Sequence, residues 1–331
     1  MNILVTGGFG NIGLGVIKEA TKRGHDVIVY EKFNKANNKM SQKHKDHYKS
    51  VIWGDIRNLE QLYPAVRDAD VIIHLASLIP PESEKDISVT HDVNTKGLEN
   101  VINSIIISKK DIKLVHLSSI SVVGFTQEMT PPVKIDSPYH GTNHYSVTKI
   151  ACEEMLDVSK VTWCILRPAN VISAHQKMSF KNVDALFTIP LDYRMETIFD
   201  DDVIDAILNA AELMVNSHTL DRKKLFLGGG EKKGHWHIYR SYIETYLSLL
   251  KLKVPPDRFF SKEKTYHDWY DTEEAQNLLH FQNGDYHDFI KATSMKHKKF
   301  SALSKVMDYI FKVRMEKSFL DSEDKRKGIK K

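Results

Sequence analysis

A tyrosine and a lysine at helical spacing give the clearest sign of chemistry in this chain of 331 residues. Tyr145 and Lys149 enclose the segment YSVTK, so a helix would place the phenol and the ammonium group on one face. A phenol is a poor base at neutral pH, and a neighbouring ammonium group favours its ionised form. Ser119 follows a short predicted strand and offers a hydroxyl group to the reacting oxygen. The pattern predicts proton transfer at an alcohol or a carbonyl group.

A glycine-rich segment, TGGFGNIG, stands between the first predicted strand and the first predicted helix. Glycine lets a pyrophosphate approach bare backbone, and the free amides at the helix N-terminus attract its charge. Glu31 ends the second strand 18 residues after Gly13, where an acid binds the hydroxyls of the adenosine ribose. The spacing therefore predicts a dinucleotide site. Its loop contacts are Gly7, Phe9, Gly10, Asn11, Ile12 and Gly13.

The residues around Glu31 bear on the choice of dinucleotide. Glu31 would repel a 2′-phosphate, so NAD is favoured over NADP, although the neighbouring Lys32 weakens this discrimination. Asp55 and Ile56 follow the third strand, where a carboxylate can accept the exocyclic amine of adenine. The alternative for Asp55 is a capping role at the helix that begins near Leu59.

Short β-branched runs alternate with helical segments through the first half of the chain. This order predicts an α/β fold, a Rossmann-type doubly wound parallel sheet with a small, mixed C-terminal substrate lobe. The predicted strands are Ile3–Thr6, Asp26–Tyr30, Val51–Trp53, Val71–Leu75, Leu114–Leu117, Val161–Leu166, Glu196–Phe199 and Lys224–Leu227. The predicted helices are Asn11–Arg23, Leu59–Arg67, Val89–Ser108, Tyr145–Val158, Asp201–Val215 and Tyr239–Leu250.

The chain divides into three predicted parts. Residues 1–170 form the NAD-binding domain, to which residues 196–230 return. Residues 171–195 and 231–290 form the substrate lobe. Residues 291–331 form a basic amphipathic helix and tail, which carries 13 basic and 5 acidic side chains in a chain whose net charge is +4. Three roles stay open for this tail: packing on the body, weak contact with an anionic membrane, or contact with a nucleic acid or protein partner. Nucleic acid is disfavoured because no base-reading motif accompanies the lysines.

Composition limits the remaining classes. Cys152 and Cys164 are too few for a disulfide framework or a cysteine zinc site, which indicates a reducing compartment. The opening MNILVTGG has no basic region and only a short apolar run, so we expect a cytoplasmic protein. His235 and His237 have no further ligand at metal-binding spacing, and the aspartates at 200–202 suit a helix N-terminus. No metal is expected.

Together these motifs resemble the extended short-chain dehydrogenase/reductases, also called the NAD-dependent epimerase/dehydratase family. The resemblance covers about residues 1–290, and the matching segments occur in the family's order. They are Thr6–Gly13, Gly54–Arg57, His74–Ser77, Val93–Gly97, Ser118–Gly124, Tyr145–Lys149, Leu166–Val171, Asp202–Val203, Gly228–Gly230 and Asp271–Thr272.

The resemblance implies roles for individual residues. Tyr145 would be the catalytic acid or base, and Lys149 would hold the nicotinamide ribose and lower the pKa of Tyr145. Ser119 would polarise the substrate oxygen, with Ser118 and Ser121 as weaker candidates. Further implied contacts are Leu75, Ala76 and Ser77 along the dinucleotide, Asn94 as a brace, and Pro168 at the nicotinamide end. For these, packing or turn geometry is the alternative explanation.

Two departures from the family pattern concern the substrate. Val123 stands where many members carry tyrosine, which changes a wall of the pocket. Asn170 and Val171 are followed by ISAH instead of Tyr-Gly-Pro. The segment after Ser173 is short and has one arginine, Arg194, although this region helps hold the diphosphate and sugar in nucleotide-sugar enzymes.

Three functions are consistent with the sequence. The first is an NAD-dependent oxidoreductase or epimerase of a nucleotide sugar, in which Tyr145 takes a hydroxyl proton while Ser119 steadies the developing carbonyl. The second is a dehydrogenase or reductase of a smaller hydroxy or carbonyl compound, which the short pocket segment favours. The third is a non-catalytic NAD-binding sensor or scaffold. The resemblance also implies a homodimer through helices 89–108 and 145–158.

Overall fold

A parallel sheet forms the centre of the computed structural model, which describes residues 1–173, 186–249 and 253–297. Its strands are β1 (Asn2–Thr6), β2 (Asp26–Glu31), β3 (Ser50–Trp53), β4 (Val71–His74), β5 (Lys113–Leu117), β6 (Trp163–Pro168) and β9 (Lys223–Leu227). They lie in the order β3-β2-β1-β4-β5-β6-β9, and every pairing is parallel. A smaller sheet contains β7 (Asn170–Ile172), β8 (Arg194–Phe199) and β10 (Trp236–Ile238). β8 pairs with β7 in parallel and with β10 antiparallel, so this sheet is mixed.

Helices cover both faces of the main sheet. The described α-helices of the whole chain are α1 (Asn11–Lys22), α2 (Lys35–Lys43), α3 (Leu59–Val66), α4 (Ile87–His91), α5 (Gly97–Ser108), α6 (His144–Val158), α7 (Asp200–Asn216), α8 (Tyr239–Leu249), α9 (Glu273–Leu279) and α10 (Tyr286–His297). The apolar sides of α1 and α7 pack on one face, and those of α3, α5 and α6 pack on the other. Central strands such as β1 are buried on both faces, which explains their continuous apolar runs. The predicted doubly wound fold with a small mixed lobe is confirmed.

The lobe has its own small core. Ile189, Met195, Tyr239 and Ile243 are buried together between β8 and α8. β8 belongs to the small sheet, whereas α7 and β9 return to the main sheet. None of the described helices has the length and apolar run that crossing a membrane requires.

Several elements differ from the sequence predictions. The helix predicted over Val89–Ser108 is interrupted by a π-helical turn at Asp92–Lys96, which separates α4 from α5. Such turns insert one extra residue and are frequent at functional sites. Helix α2 was not predicted, because only Ser41 is buried and no apolar periodicity marks it. The predicted apolar stripe beyond residue 300 lies outside the described residues.

Candidate active site

The glycine loop connects β1 to α1 and leaves the end of that helix open. Gly7 has a φ of +71°, and a Cβ there would lie 2.7 Å from the amide nitrogen of Ala76. A Cβ on Gly13 would lie 2.5 Å from the carbonyl oxygen of Gly7, so helix and loop approach closely. Gly10 precedes α1, and within the described part of the chain no side chain caps that helix. The amides of its first turn are therefore available to an anion.

The other loop residues predicted to contact a dinucleotide lie at the same place. Asn11, Ile12 and Gly13 form the first turn of α1, while Phe9 is buried beside Trp53 with ring centres 5.9 Å apart. The loop therefore presents backbone on its outer side and a packed aromatic ring on its inner side.

Two carboxylates stand at the next strand ends. Glu31 accepts hydrogen bonds from the amides of Phe9 (3.2 Å) and Lys32 (3.0 Å), and burial raises its pKa. The Arg57 guanidinium holds Asp55 at 2.6 and 2.9 Å, which keeps the pKa of Asp55 well below its usual range. Lys32 turns toward Asp55, with Nζ 3.4 Å from the carboxylate.

The capping alternative for Asp55 is wrong. Asn58 caps α3, because its side chain accepts a hydrogen bond from the amide of Gln61 at 3.1 Å. Ile56 is buried against Gly97, and its carbonyl oxygen accepts a hydrogen bond from Asn100.

The segment after β4 approaches both the glycine loop and helix α6. Leu75 and Ala76 donate their amides to the backbone oxygen and hydroxyl of Thr6, and Ser77 bonds the carbonyl of Leu78. Asn94, in the π-helical turn, bonds both backbone groups of Leu78 and donates to the hydroxyl of Thr148 at 3.0 Å. It therefore ties this segment to α6. Pro168 lies at the end of β6, beside Leu227 of β9.

Ser119 and Tyr145 meet at the carboxyl end of β5. The Tyr145 hydroxyl is hydrogen-bonded to Ser119, whose Oγ also accepts hydrogen bonds from the amide (3.1 Å) and hydroxyl (3.0 Å) of Ser121. Lys149 lies on the same face of α6 as Tyr145, with Nζ 5.8 Å from the centre of the phenol ring. The three residues predicted to be catalytic are therefore brought together.

The electrostatics of this group differ from the sequence argument. Burial raises the pKa of Tyr145, and its hydrogen bond with Ser119 opposes that rise. Burial also lowers the pKa of Lys149, whose ammonium group donates to the carbonyl oxygen of Leu117 at 2.8 Å. The expectation that Lys149 lowers the pKa of Tyr145 is not met by these residues alone. The ammonium group is directed at the backbone, and loss of hydration dominates at both side chains.

Ser118 belongs to a different network. Its hydroxyl donates to Glu153 at 2.5 Å, and Glu153 forms a fully buried ion pair with Arg167 at 2.7 Å. Tyr139 donates to the same carboxylate. The Ser118 hydroxyl is thus engaged with Glu153, whereas the amide and hydroxyl of Ser121 donate to Ser119. Sequence reasoning missed this ion pair, although Arg167 stood within a recognised motif.

Two buried histidines, to which the sequence analysis gave no role, interact electrostatically with Lys149. His74 and His116 are opposite each other on β4 and β5, with stacked rings 5.5 Å apart. His74 bonds the hydroxyl of Thr6 at 2.8 Å. Burial lowers the pKa of His74 to about 3 and that of His116 well below its ordinary value, and the charge of Lys149 adds to both shifts. Both rings are therefore neutral at physiological pH, which keeps them compatible with the lysine.

Arg194, the one arginine that the sequence analysis noted in the segment after Ser173, is held by Asp268. Its guanidinium binds the buried carboxylate of Asp268 at 2.6 and 3.1 Å and the carbonyl oxygens of Gln127 and Met129. His235 and His237 both contact the hydroxyl of Thr197, at 2.9 and 3.1 Å. Among the described residues, no cluster of three or more metal-ligating side chains occurs.

Comparisons with known proteins agree with this arrangement. The family model described as "NAD dependent epimerase/dehydratase family" matches residues 3–219. The UDP-glucose 4-epimerase of Lactobacillus helveticus is 28% identical over 182 residues, which are 53% of this chain and 53% of that protein. The UDP-N-acetyl-alpha-D-glucosaminuronate decarboxylase of Bacillus cytotoxicus is 30% identical over 135 residues, 40% of each chain. The chain thus spans about half the length of the curated relatives it matches.

A solved structure supports the same fold over a longer range. The UDP-glucose 4-epimerase of Thermotoga maritima, solved with UDP-glucose, superposes with a TM-score of 0.72 at 18% identity. The superposition covers 91% of this chain and 99% of that one. With the family model matching more than half of its length, this chain belongs to the NAD-dependent epimerase/dehydratase family.

Proposed function

We propose that this protein is an NAD-dependent oxidoreductase or epimerase that acts on a nucleotide sugar. The observation that carries the proposal is the hydrogen-bonded pair of Tyr145 and Ser119, with Lys149 on the same helix face, at the sheet edge that also holds the open glycine loop. Family membership and the named activities of its relatives support the same choice.

The residues of the loop fit a dinucleotide. The uncapped first turn of α1 would bind the pyrophosphate, and Gly10 has space on its outer side because a Cβ there meets only the Gly7 carbonyl, at 3.4 Å. Glu31 would accept the ribose hydroxyls, which favours NAD. Lys32 is drawn toward Asp55, and this supports the same preference because the ammonium group is then less available to a 2′-phosphate. When bound, NAD supplies the hydride acceptor.

The chain itself supplies proton chemistry. Tyr145 Oη would take the proton of a substrate hydroxyl and return it in the reverse step, while Ser119 Oγ donates to the same substrate oxygen. Since burial raises the pKa of Tyr145, the residue needs further positive charge before it can act as a base. Lys149 and a positively charged nicotinamide ring would both supply it, so proton transfer would depend on the bound cofactor.

A second candidate substrate class is favoured by Arg194. Because its guanidinium is held by Asp268, it is not available to a diphosphate without breaking a buried ion pair. A dehydrogenase or reductase of a smaller hydroxy or carbonyl compound would not need that contact.

Cofactor binding and substrate binding would be assigned to the parts of the chain that the sequence indicates. We propose that residues 1–170, with 196–230, bind the cofactor, and that residues 171–195 and 231–290 bind the substrate. A homodimer would form through α5 and α6, which expose Ile106, Ile107, Val147 and Val158 on their outer surfaces. Contact of the basic tail with an anionic membrane stays a prediction from sequence.

The test compares two tyrosines under one assay. The protein is incubated with NAD and UDP-glucose, and sugar products are separated by chromatography. Tyr145→Phe should lower kcat by about a thousandfold without changing NAD affinity, because only the proton acceptor is lost. Tyr63→Phe, a helical tyrosine on α3, serves as the control. Turnover of small secondary alcohols but not of UDP-glucose would select the second candidate. Full activity of Tyr145→Phe would contradict both.

A further inference from the structure

The segment that follows β4 contacts the N-terminus of helix α6. Residues 78–84, here called the strap, are fixed at both ends. Asn94 bonds the amide and the carbonyl of Leu78 at 2.7 and 3.0 Å, and Thr90 donates to the carbonyl of Ser83 at 2.8 Å. The strap therefore holds its last residue, Glu84, in a defined place.

That place is the N-terminus of α6. The Glu84 carboxylate accepts hydrogen bonds from the amides of His144 and Tyr145, both at 3.1 Å, and from the hydroxyl of Ser83 at 2.9 Å. Free amides at a helix N-terminus attract anions. In this chain the protein's own carboxylate occupies the amides of His144 and Tyr145, so a substrate carboxylate cannot bind to them and would meet a like charge.

The charge of Arg194 is likewise neutralised by a carboxylate of the protein itself. Arg194 is held by Asp268, whose carboxylate is fully buried and also accepts a hydrogen bond from Thr126. This pair joins the loop after Ser119 to the start of β8, because Arg194 also bonds the carbonyl oxygen of Gln127 at 2.7 Å. Breaking a buried pair is costly, so the arginine is not released for a substrate anion.

A further phenol, that of Tyr266, interacts electrostatically with both Tyr145 and Glu84. Its backbone is held by the hydroxyl of Tyr270, which donates to the Tyr266 carbonyl at 2.6 Å. Within the residues that the structure describes, the Tyr266 hydroxyl has no hydrogen-bond partner, so it is available to a substrate hydroxyl.

We propose that the part of the substrate next to the reacting carbon is an uncharged, hydroxyl-bearing group, and that Glu84 excludes a carboxylate from this position. The inference rests on the proposed function, in which Tyr145 faces the reacting carbon. It assigns Glu84 a role in specificity and Tyr266 a contact with the substrate.

The test uses UDP-glucose and UDP-glucuronate, which differ only in a hydroxymethyl group against a carboxylate. Binding of each to the NAD-loaded protein is measured by calorimetry, and kcat/KM is measured in parallel. The native protein should favour UDP-glucose by at least about tenfold, since like charges repel at short range. Glu84→Gln should reduce that ratio by about tenfold. Glu82→Gln, in the same strap but paired with Lys85, should leave the ratio unchanged.

Equal or preferred binding of UDP-glucuronate by the native protein would overturn the inference, and this comparison needs no variant. An unchanged ratio in Glu84→Gln would also overturn it. If neither nucleotide sugar binds, the nucleotide-sugar function fails, and propane-1,2-diol and lactate, which differ by the same chemical change, replace them. Preference for the diol would then support the inference on its own, and preference for lactate would overturn it.

Discussion

The N-termini of α1 and α6 lie at the same edge of the sheet but differ in whether side chains bind their first amides. No side chain among the described residues caps α1, and glycine residues surround its first turn. Helix α6 is closed twice. Asn143 and Ser146 form a capping box, and Glu84 binds the amides of His144 and Tyr145. The first end is left open for an anion, and the second is filled by the protein.

The difference separates two tasks that use the same backbone physics. An open N-terminus binds the negative charge of a cofactor without a dedicated cationic side chain. The closed N-terminus holds the turn that carries Tyr145 and, under the proposal, should keep other anions away from that turn. Three predictions test this comparison, two at the helix ends and one at a buried carboxylate that also accepts two amides.

The largest effect is expected from closing α1 in the way α6 is closed. Gly10 has φ −72° and ψ 174°, which suit a capping side chain. Gly10→Asp should therefore keep the fold while placing a carboxylate at the pyrophosphate position, and NAD affinity should fall by about a thousandfold. Titration of NADH by fluorescence measures the change. Gly10→Ala, which adds volume without charge, is the control, and undiminished affinity in Gly10→Asp would refute the open-end account.

A smaller effect concerns a carboxylate that also accepts two amides but lies away from either helix end. Glu196 binds the amides of Gly230 and Tyr270 and is fully buried, which raises its pKa to about 8. Its proton is held in the folded state and released in the unfolded state above about pH 4.5. This contribution to stability is complete below that pH and is lost as pH rises toward 8.

The free energy of unfolding should accordingly fall by about 2 kcal/mol between pH 6.5 and 8. Urea denaturation at the two pH values measures it. Glu196→Gln cannot titrate, so its unfolding free energy should not show this decrease whatever its absolute stability. A variant that kept the full slope would show that another group is responsible.

The smallest effect is expected from opening α6 partway. Asn143→Ala removes the side chain that accepts from the amide of Ser146 at 2.8 Å and should lower stability by about 1 kcal/mol. Because Glu84 still binds the first two amides, NAD affinity should not change. Thermal denaturation with and without NAD separates the two quantities. Loss of NAD binding in Asn143→Ala would indicate that the two helix ends are coupled.

The sequence located the residues at the strand ends better than the contacts between distant segments, for a physical reason. Gly7, Glu31 and Ser119 lie at the carboxyl ends of β1, β2 and β5, and the parallel topology brings those strand ends to one edge of the sheet. Short-range patterns were therefore enough to place them. The same argument placed Tyr145 and Lys149, because helical spacing alone determines that they share a face.

The substrate side depends on contacts between segments far apart in the chain. Glu84 is 60 residues from His144, and Arg194 is 74 residues from Asp268. No short sequence pattern indicates either pair, because a single glutamate or arginine in a sequence is normally predicted to be a solvent-exposed charge. The raised pKa of Tyr145 was missed for a related reason. Burial results from packing of several elements, whereas the spacing of Tyr145 and Lys149 shows only that the two are neighbours.

The central claim is that the open end of α1 binds a nicotinamide dinucleotide. The most direct measurement is to denature the purified protein, identify released nucleotide by chromatography and mass, and titrate any empty fraction with NADH and NADPH. The account predicts NAD⁺ or NADH in the released fraction, or micromolar binding of NADH that Gly10→Asp abolishes. Binding of neither dinucleotide would contradict it.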